Sequence, residues 1–72
     1  MFRVKAQTEI AAFNEALGTA FGDEDYDTVG GLLLSKFGRL PKRGDVIDVD
    51  GLRFHVLRAD SRRLHALLVE RV

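Results

Sequence analysis

The run Asp23-Glu24-Asp25-Tyr26-Asp27 is the densest group of potential metal ligands in this chain. Aspartates at alternate positions open a calcium-binding loop, but such a loop also needs glycine at its sixth position and glutamate at its twelfth. Counted from Asp23, those positions hold Thr28 and Leu34. The sharp turn and the bidentate ligand are both missing. The run is therefore expected to be an acidic loop that complements the positive start of a following helix. Direct sensing of a divalent cation by this loop is a further reading that calorimetry can test.

Nucleophilic and acid–base chemistry find little support. Ser35 and Ser61, the only serines, lie in no nucleophile elbow and have no evident histidine and acid partners. His55 and His65 fall on successive strands of the meander described below, but two imidazoles without a third ligand make no metal centre. No pair of carboxylates sits in an apolar setting that would separate their pKa values. The glycines match no phosphate-loop spacing. These residues predict a protein that is not an enzyme. Basic residues gather at Arg39, Lys42 and Arg43, and again at Arg62 and Arg63. Aromatic side chains are not interleaved with them, so no nucleic-acid partner is expected. Tyr26, the sole tyrosine, reads as a half-buried loop anchor.

Whatever these residues do, few elements are available to position them. The chain has 72 residues, no cysteine and equal numbers of acidic and basic side chains. It forms one domain, 1–72, whose core is thin because domains of this size bury only roughly 60% of their unfolded surface. No disulfide or thiolate-bound metal can reinforce it. Residues 1–36 carry a net charge of −3 and residues 37–72 one of +3, a split that favours self-association or docking on a protein surface. No apolar run approaches the roughly 20 residues that cross a bilayer, and the start lacks the apolar stretch of a signal peptide. No direct membrane insertion is expected.

Phe2-Arg3-Val4-Lys5 alternates as a strand does. Thr8 is placed to cap a helix over 9–17 whose stripe is Ile10, Phe13 and Leu17, with Glu9 in the first turn and Gly18 as the left-handed stop. Phe21 to Tyr26 reads as a loop. Asp27 or Thr28 caps a second helix that runs to Phe37, with Val29, Leu32, Leu33 and Phe37 as its apolar face and Gly38 at its end. Gly30 and Gly31 in its first turn each cost about 1 kcal/mol relative to alanine. A close approach by another backbone or by a ligand is the expected compensation.

Arg39 to Gly44 is a turn-rich link. Beyond it the period becomes two. Asp50-Gly51 marks a two-residue hairpin between strands 45–50 and 51–58. In that register Val49 faces Leu52, Ile47 faces Phe54, and Asp48 faces Arg53; a slip of one residue would destroy all three pairings. Asp60 to Arg63 forms the next turn, and Leu64 to Val72 the last strand. The fold class is α+β, with two helices packed on one face of a small, mostly antiparallel sheet, and the opening strand is expected beside the last one.

Several strings together resemble the transporter-associated domain of the CorC/HlyC family: Asp27-Thr28-Val29-Gly30-Gly31-Leu32, Gly38-Arg39-Leu40-Pro41-Lys42-Arg43-Gly44-Asp45, Asp50-Gly51-Leu52-Arg53-Phe54-His55-Val56-Leu57 and Asp60-Ser61-Arg62-Arg63-Leu64-His65. The resemblance runs from Phe2 to Val72. It implies the C-terminal fragment of a longer, CBS-containing chain linked to magnesium and cobalt efflux. It also implies a small α+β unit likened to an FAD-binding domain. The function implied is non-catalytic: regulation of ion transport, or docking on the CBS domains of the same chain, on a transporter or on another copy. The setting implied is cytoplasmic, at the inner face of the membrane through a partner. The alternative is a sensor of FAD or an adenine nucleotide. Its binding residues would be Asp27, Thr28, Gly30, Gly31 and Arg43: the glycines allow close approach, the start of the second helix offers N–H groups to an anion, and Arg43 neutralises phosphate. The same residues also suit a tight contact between helix and sheet.

Overall fold

A computed structural model describes residues 1–72. The elements run β1 (Phe2–Lys5), α1 (Ile10–Leu17), α2 (Val29–Phe37), β2 (Val46–Val49), β3 (Leu52–Ala59) and β4 (Leu64–Arg71). The four strands form one sheet in the order β1-β4-β3-β2, and every pairing is antiparallel. The opening strand does lie beside the last.

The hairpin has the expected register: Val49 opposite Leu52, Asp48 opposite Arg53, Ile47 opposite Phe54. Asp50 and Gly51 take positive φ of 48° and 81°, so both loop residues are left-handed and the turn twists with its strands. Between β3 and β4 the ladder is irregular. Val56 pairs with Leu67, Arg58 with Ala66 and Ala59 with Leu64, so Leu57 and His65 are each left without an opposite residue.

Both helices lie on one face of the sheet. Phe13 and Leu17 of α1 and Val29 and Leu33 of α2 join Val4, Val49, Leu52, Phe54, Val56, Leu67 and Val69 in a single buried cluster. Each large apolar side chain in it contributes about 1.5–3 kcal/mol by leaving water. Phe54 is fully buried and stacks on Phe13 with centroids 6.0 Å apart. The 21–26 loop is held from α1: Asn14 accepts from the Phe21 amide (3.0 Å) and the Thr19 hydroxyl (2.8 Å) and donates to the Phe21 carbonyl (2.9 Å).

Gly18 and Gly38 end their helices at φ of 69° and 73°, as expected of left-handed stops. The Arg71 guanidinium donates to the Leu17 carbonyl, placing a cation at the negative end of α1. The start of α1 differs from expectation. Its cap is Glu9, which makes no side-chain capping bond, and its first turn holds no acidic residue. Thr8 is drawn away because Glu9 and Thr28 form an antiparallel bridge. The Ile10 amide donates to the Asp27 carbonyl (3.0 Å), and the Val29 amide to the Thr8 carbonyl (2.9 Å). Backbone pairing thus satisfies the helix starts where a side-chain cap was expected.

Candidate functional site

The amides of the double glycine at the start of α2 are bonded to protein acceptors. The Gly30 amide donates to the Ala6 carbonyl at 2.8 Å. A Cβ on residue 30 would meet that same oxygen at 2.9 Å and the Ala6 Cβ at 3.0 Å. Residue 30 must be glycine because the turn after β1 passes directly over the helix. Gly31 is less constrained: a Cβ there would lie 3.4 Å from the Thr28 hydroxyl and 3.7 Å from the Tyr26 Cβ.

Thr28 caps α2, its hydroxyl accepting from the Gly31 amide at 3.1 Å. The first three amides of α2, those of Val29, Gly30 and Gly31, are therefore all spent on protein acceptors. The anion cradle expected at this helix start relied on free N–H groups. Backbone pairing and the threonine cap have taken them.

Of the five residues expected to gather there, Thr28, Gly30 and Gly31 line one open groove of about 320 Å³ together with Gln7, Leu34 and Arg63. Arg43 lines a different depression, with Lys42, Asp60 and Ser61. Asp27 contributes its backbone carbonyl to Ile10, and its side chain is exposed. The cation beside the double glycine is Arg63. Its charge was visible in the sequence, but its place beside α2 depends on the irregular entry into β4, which no local pattern announced.

The histidines do not form a pair. His55 faces the outer side of the sheet opposite Leu68. Its Nε2 lies 3.5 Å from Glu70 Oε1, within ion-pair reach, yet it is buried and makes no hydrogen bond. Asp48 and Arg53 stand beside it on that face, joined through two bonds of 2.8 and 3.0 Å. That Arg53 contact holds the Asp48 carboxyl below its ordinary pKa. His65 instead meets Asp60, Nε2 to Oδ2 at 2.7 Å. Asp60 Oδ1 accepts from the amides of Arg62 and Arg63 at 2.7 and 2.9 Å. The His65 hydrogen bond, followed by those two amides, lowers the Asp60 pKa from 3.8 to about 2.

In the acidic loop, Tyr26 is half-buried and its hydroxyl donates to Ser35 Oγ at 2.6 Å, which fits the anchor reading. No three His, Cys, Asp or Glu side chains gather in a metal-holding arrangement. No helix is long and apolar enough to cross a membrane.

Comparison with known proteins adds relatives to this geometry. The family model of the transporter associated domain, CorC_HlyC, matches residues 1–72. The magnesium and cobalt efflux protein CorC of Vibrio cholerae is 56% identical over 68 residues, covering 94% of this chain and 23% of that protein. CorC of Escherichia coli K12 is 56% identical over 61 residues, 85% of this chain and 21% of that protein. This chain thus spans less than a quarter of the length of these relatives. Among solved structures, the Mg2+ and Co2+ transporter (CorC) associated region from Neisseria meningitidis MC58 is 47% identical, with a TM-score of 0.94 over 97% of this chain and 86% of that one. A CorC_HlyC domain from a Xylella fastidiosa Temecula1 hemolysin, in complex with Mg++ and Mn++, is 31% identical, with a TM-score of 0.86 over 99% of this chain and 86% of that one.

Proposed function

The chain belongs to the CorC_HlyC transporter-associated domain family, and on that premise we propose that it is a non-catalytic regulatory module of a magnesium and cobalt efflux protein. It acts by docking: on the CBS domains of its own longer chain, on the transporter, or on a second copy. It works on the cytoplasmic side of the membrane, reaching the membrane through that partner.

One observation carries this reading. The helices cover one face of the sheet and leave the other face bare. That outer face combines apolar Val46 and Leu68 with the charged set Asp48, Arg53, His55 and Glu70. Val46 is 48% exposed, and covering its apolar side chain would be favourable. Apolar centres ringed by both signs of charge suit a protein surface of similar mixed character.

The test is binding in trans between this chain and the remainder of the efflux protein. Saturable binding that Val46→Glu weakens and Ala11→Glu, on the exposed side of α1, leaves unchanged is the expected result. A chain that stays monomeric and binds neither the CBS domains nor the transporter would sink the reading.

A further inference from the structure

We propose that the outer face of the sheet also holds a binding site for a phosphate-bearing anion, built on the cross-strand row Lys5–Ala66–Arg58. This site adjoins the groove at Gly30 and Gly31, with Gln7 lining both, and it does not depend on the docking reading.

The row follows from the register. Lys5 of β1 and Arg58 of β3 both lie opposite Ala66 of β4, one from each side. Neighbouring strands are about 4.8 Å apart, so the two cationic residues stand roughly 10 Å apart with a methyl group between them. The small central residue leaves a concavity of about 630 Å³, to which Arg3, His65 and Leu57 also contribute. That is within the roughly 300–1,000 Å³ of small-molecule sites.

The charge in this concavity has no internal counterpart. No carboxylate lines it. Arg3, Lys5 and Arg58 take part in none of the ion pairs, which involve Arg39, Arg53 and the histidines instead. Asp60, the acid in contact with His65, has both oxygens committed.

The ladder irregularity matters here. A regular continuation from the Val56–Leu67 pair would set Leu57 opposite Ala66. The shift puts Arg58 there and leaves Leu57 and His65 as the unopposed residues, and all three line the concavity. Bulges re-aim side chains in this way beside binding sites. Charges on an edge strand commonly serve only to deter strand pairing. That role accounts for Arg3 and Lys5 on β1 and extends to Arg58, because the pairing of β2 with β3 ends before it, at Val46 and His55; it does not account for the bulge that sets Arg58 opposite Ala66.

Guanidinium and ammonium donors supplied from both sides of Ala66, by β1 and β3, match a ligand with several anionic oxygens. An acidic protein segment would carry the same charge. The concave shape and the methyl at its centre favour the small multivalent phosphate.

The test is titration of the chain with inorganic pyrophosphate at physiological ionic strength, followed by amide NMR shifts. Saturable shifts centred on Lys5, Arg58 and Ala66 are expected. Arg58→Ala and Lys5→Ala should each weaken binding by about tenfold or more. Ala66→Leu should weaken it comparably while keeping every charge, with thermal melts verifying that each variant is folded. Arg62→Ala and Arg63→Ala should leave it unchanged. Shifts that never saturate, or an equal loss in those two controls, would overturn the proposal in favour of diffuse electrostatics. Saturation by a peptide spanning residues 23–27, with none by pyrophosphate, would overturn it in favour of an acidic protein segment.

Discussion

Gly30 and Ala6 meet through backbone alone: the Gly30 amide donates to the Ala6 carbonyl at 2.8 Å, and no Cβ fits between them. Helix propensity and packing therefore predict opposite outcomes at neighbouring glycines. Propensity alone favours alanine by about 1 kcal/mol at either position. Packing reverses that at residue 30, where a Cβ would sit 2.9 Å from a carbonyl oxygen that cannot rotate away. Gly30→Ala should destabilise the fold by about 1–3 kcal/mol. Gly31→Ala should be neutral or stabilise it by up to about 1 kcal/mol. Urea unfolding of both variants measures the contrast, and equal effects would contradict this packing account.

Thr28→Ala removes the hydroxyl that accepts from Gly31 while leaving the backbone bridge to Glu9 in place. A loss of about 1 kcal/mol is expected. Thr8→Ala should cost much less, because Thr8 contributes only backbone groups to the helix starts. Comparing the two denaturation midpoints separates the true cap from the one anticipated.

Asp60 gives a pH signature. Its folded pKa is lowered from 3.8 to about 2, chiefly by His65. A carboxylate depressed in the folded state adds stability that is fully present above its unfolded pKa and is lost as pH falls toward the folded value. The window is therefore about pH 4 down to about pH 2. Asp60→Asn should flatten the stability–pH curve in that window, as denaturation at a series of pH values would reveal.

The hairpin loop has its own test. Gly51 sits at φ 81° and Asp50 at φ 48°. Gly51→Val places a β-branched residue in left-handed space and should cost on the order of 1–2 kcal/mol or more. Asp50→Asn, which suits that conformation, should change stability little. Thermal melts of the two variants distinguish them.

Much of this architecture is legible in the residues, because it is locally encoded. Asp50-Gly51 fixes the register of β2 and β3, and Gly18 and Gly38 stop their helices, since each depends on the φ preference of one or two residues. What escapes is what two distant segments decide together. Thr8 looks like a cap until Glu9 and Thr28 pair across the helix starts. Gly30 and Gly31 look like an anion cradle until Ala6 and Thr28 occupy their amides. Arg43 looks like the neighbouring cation, but the entry into β4 brings Arg63 there instead. The Lys5–Ala66–Arg58 row was invisible for the same reason: alternation along β3 places Leu57, not Arg58, on that face, and a bulge leaves no trace in a period of two.

The strand order carries one more consequence, for how the chain is made. β1 is the first strand to be synthesised and β4 the last, yet they pair with each other. The β2–β3 hairpin can close as soon as its two-residue loop has formed, while β1 must wait for a partner some sixty residues downstream. Contacts of that separation are the slow ones. A ribosome-bound chain lacking its final strand would expose Val4 and the open side of β3 together. A stop codon before residue 64 would strand both neighbours of β4 and leave β1, with whatever precedes it in a longer polypeptide, unanchored.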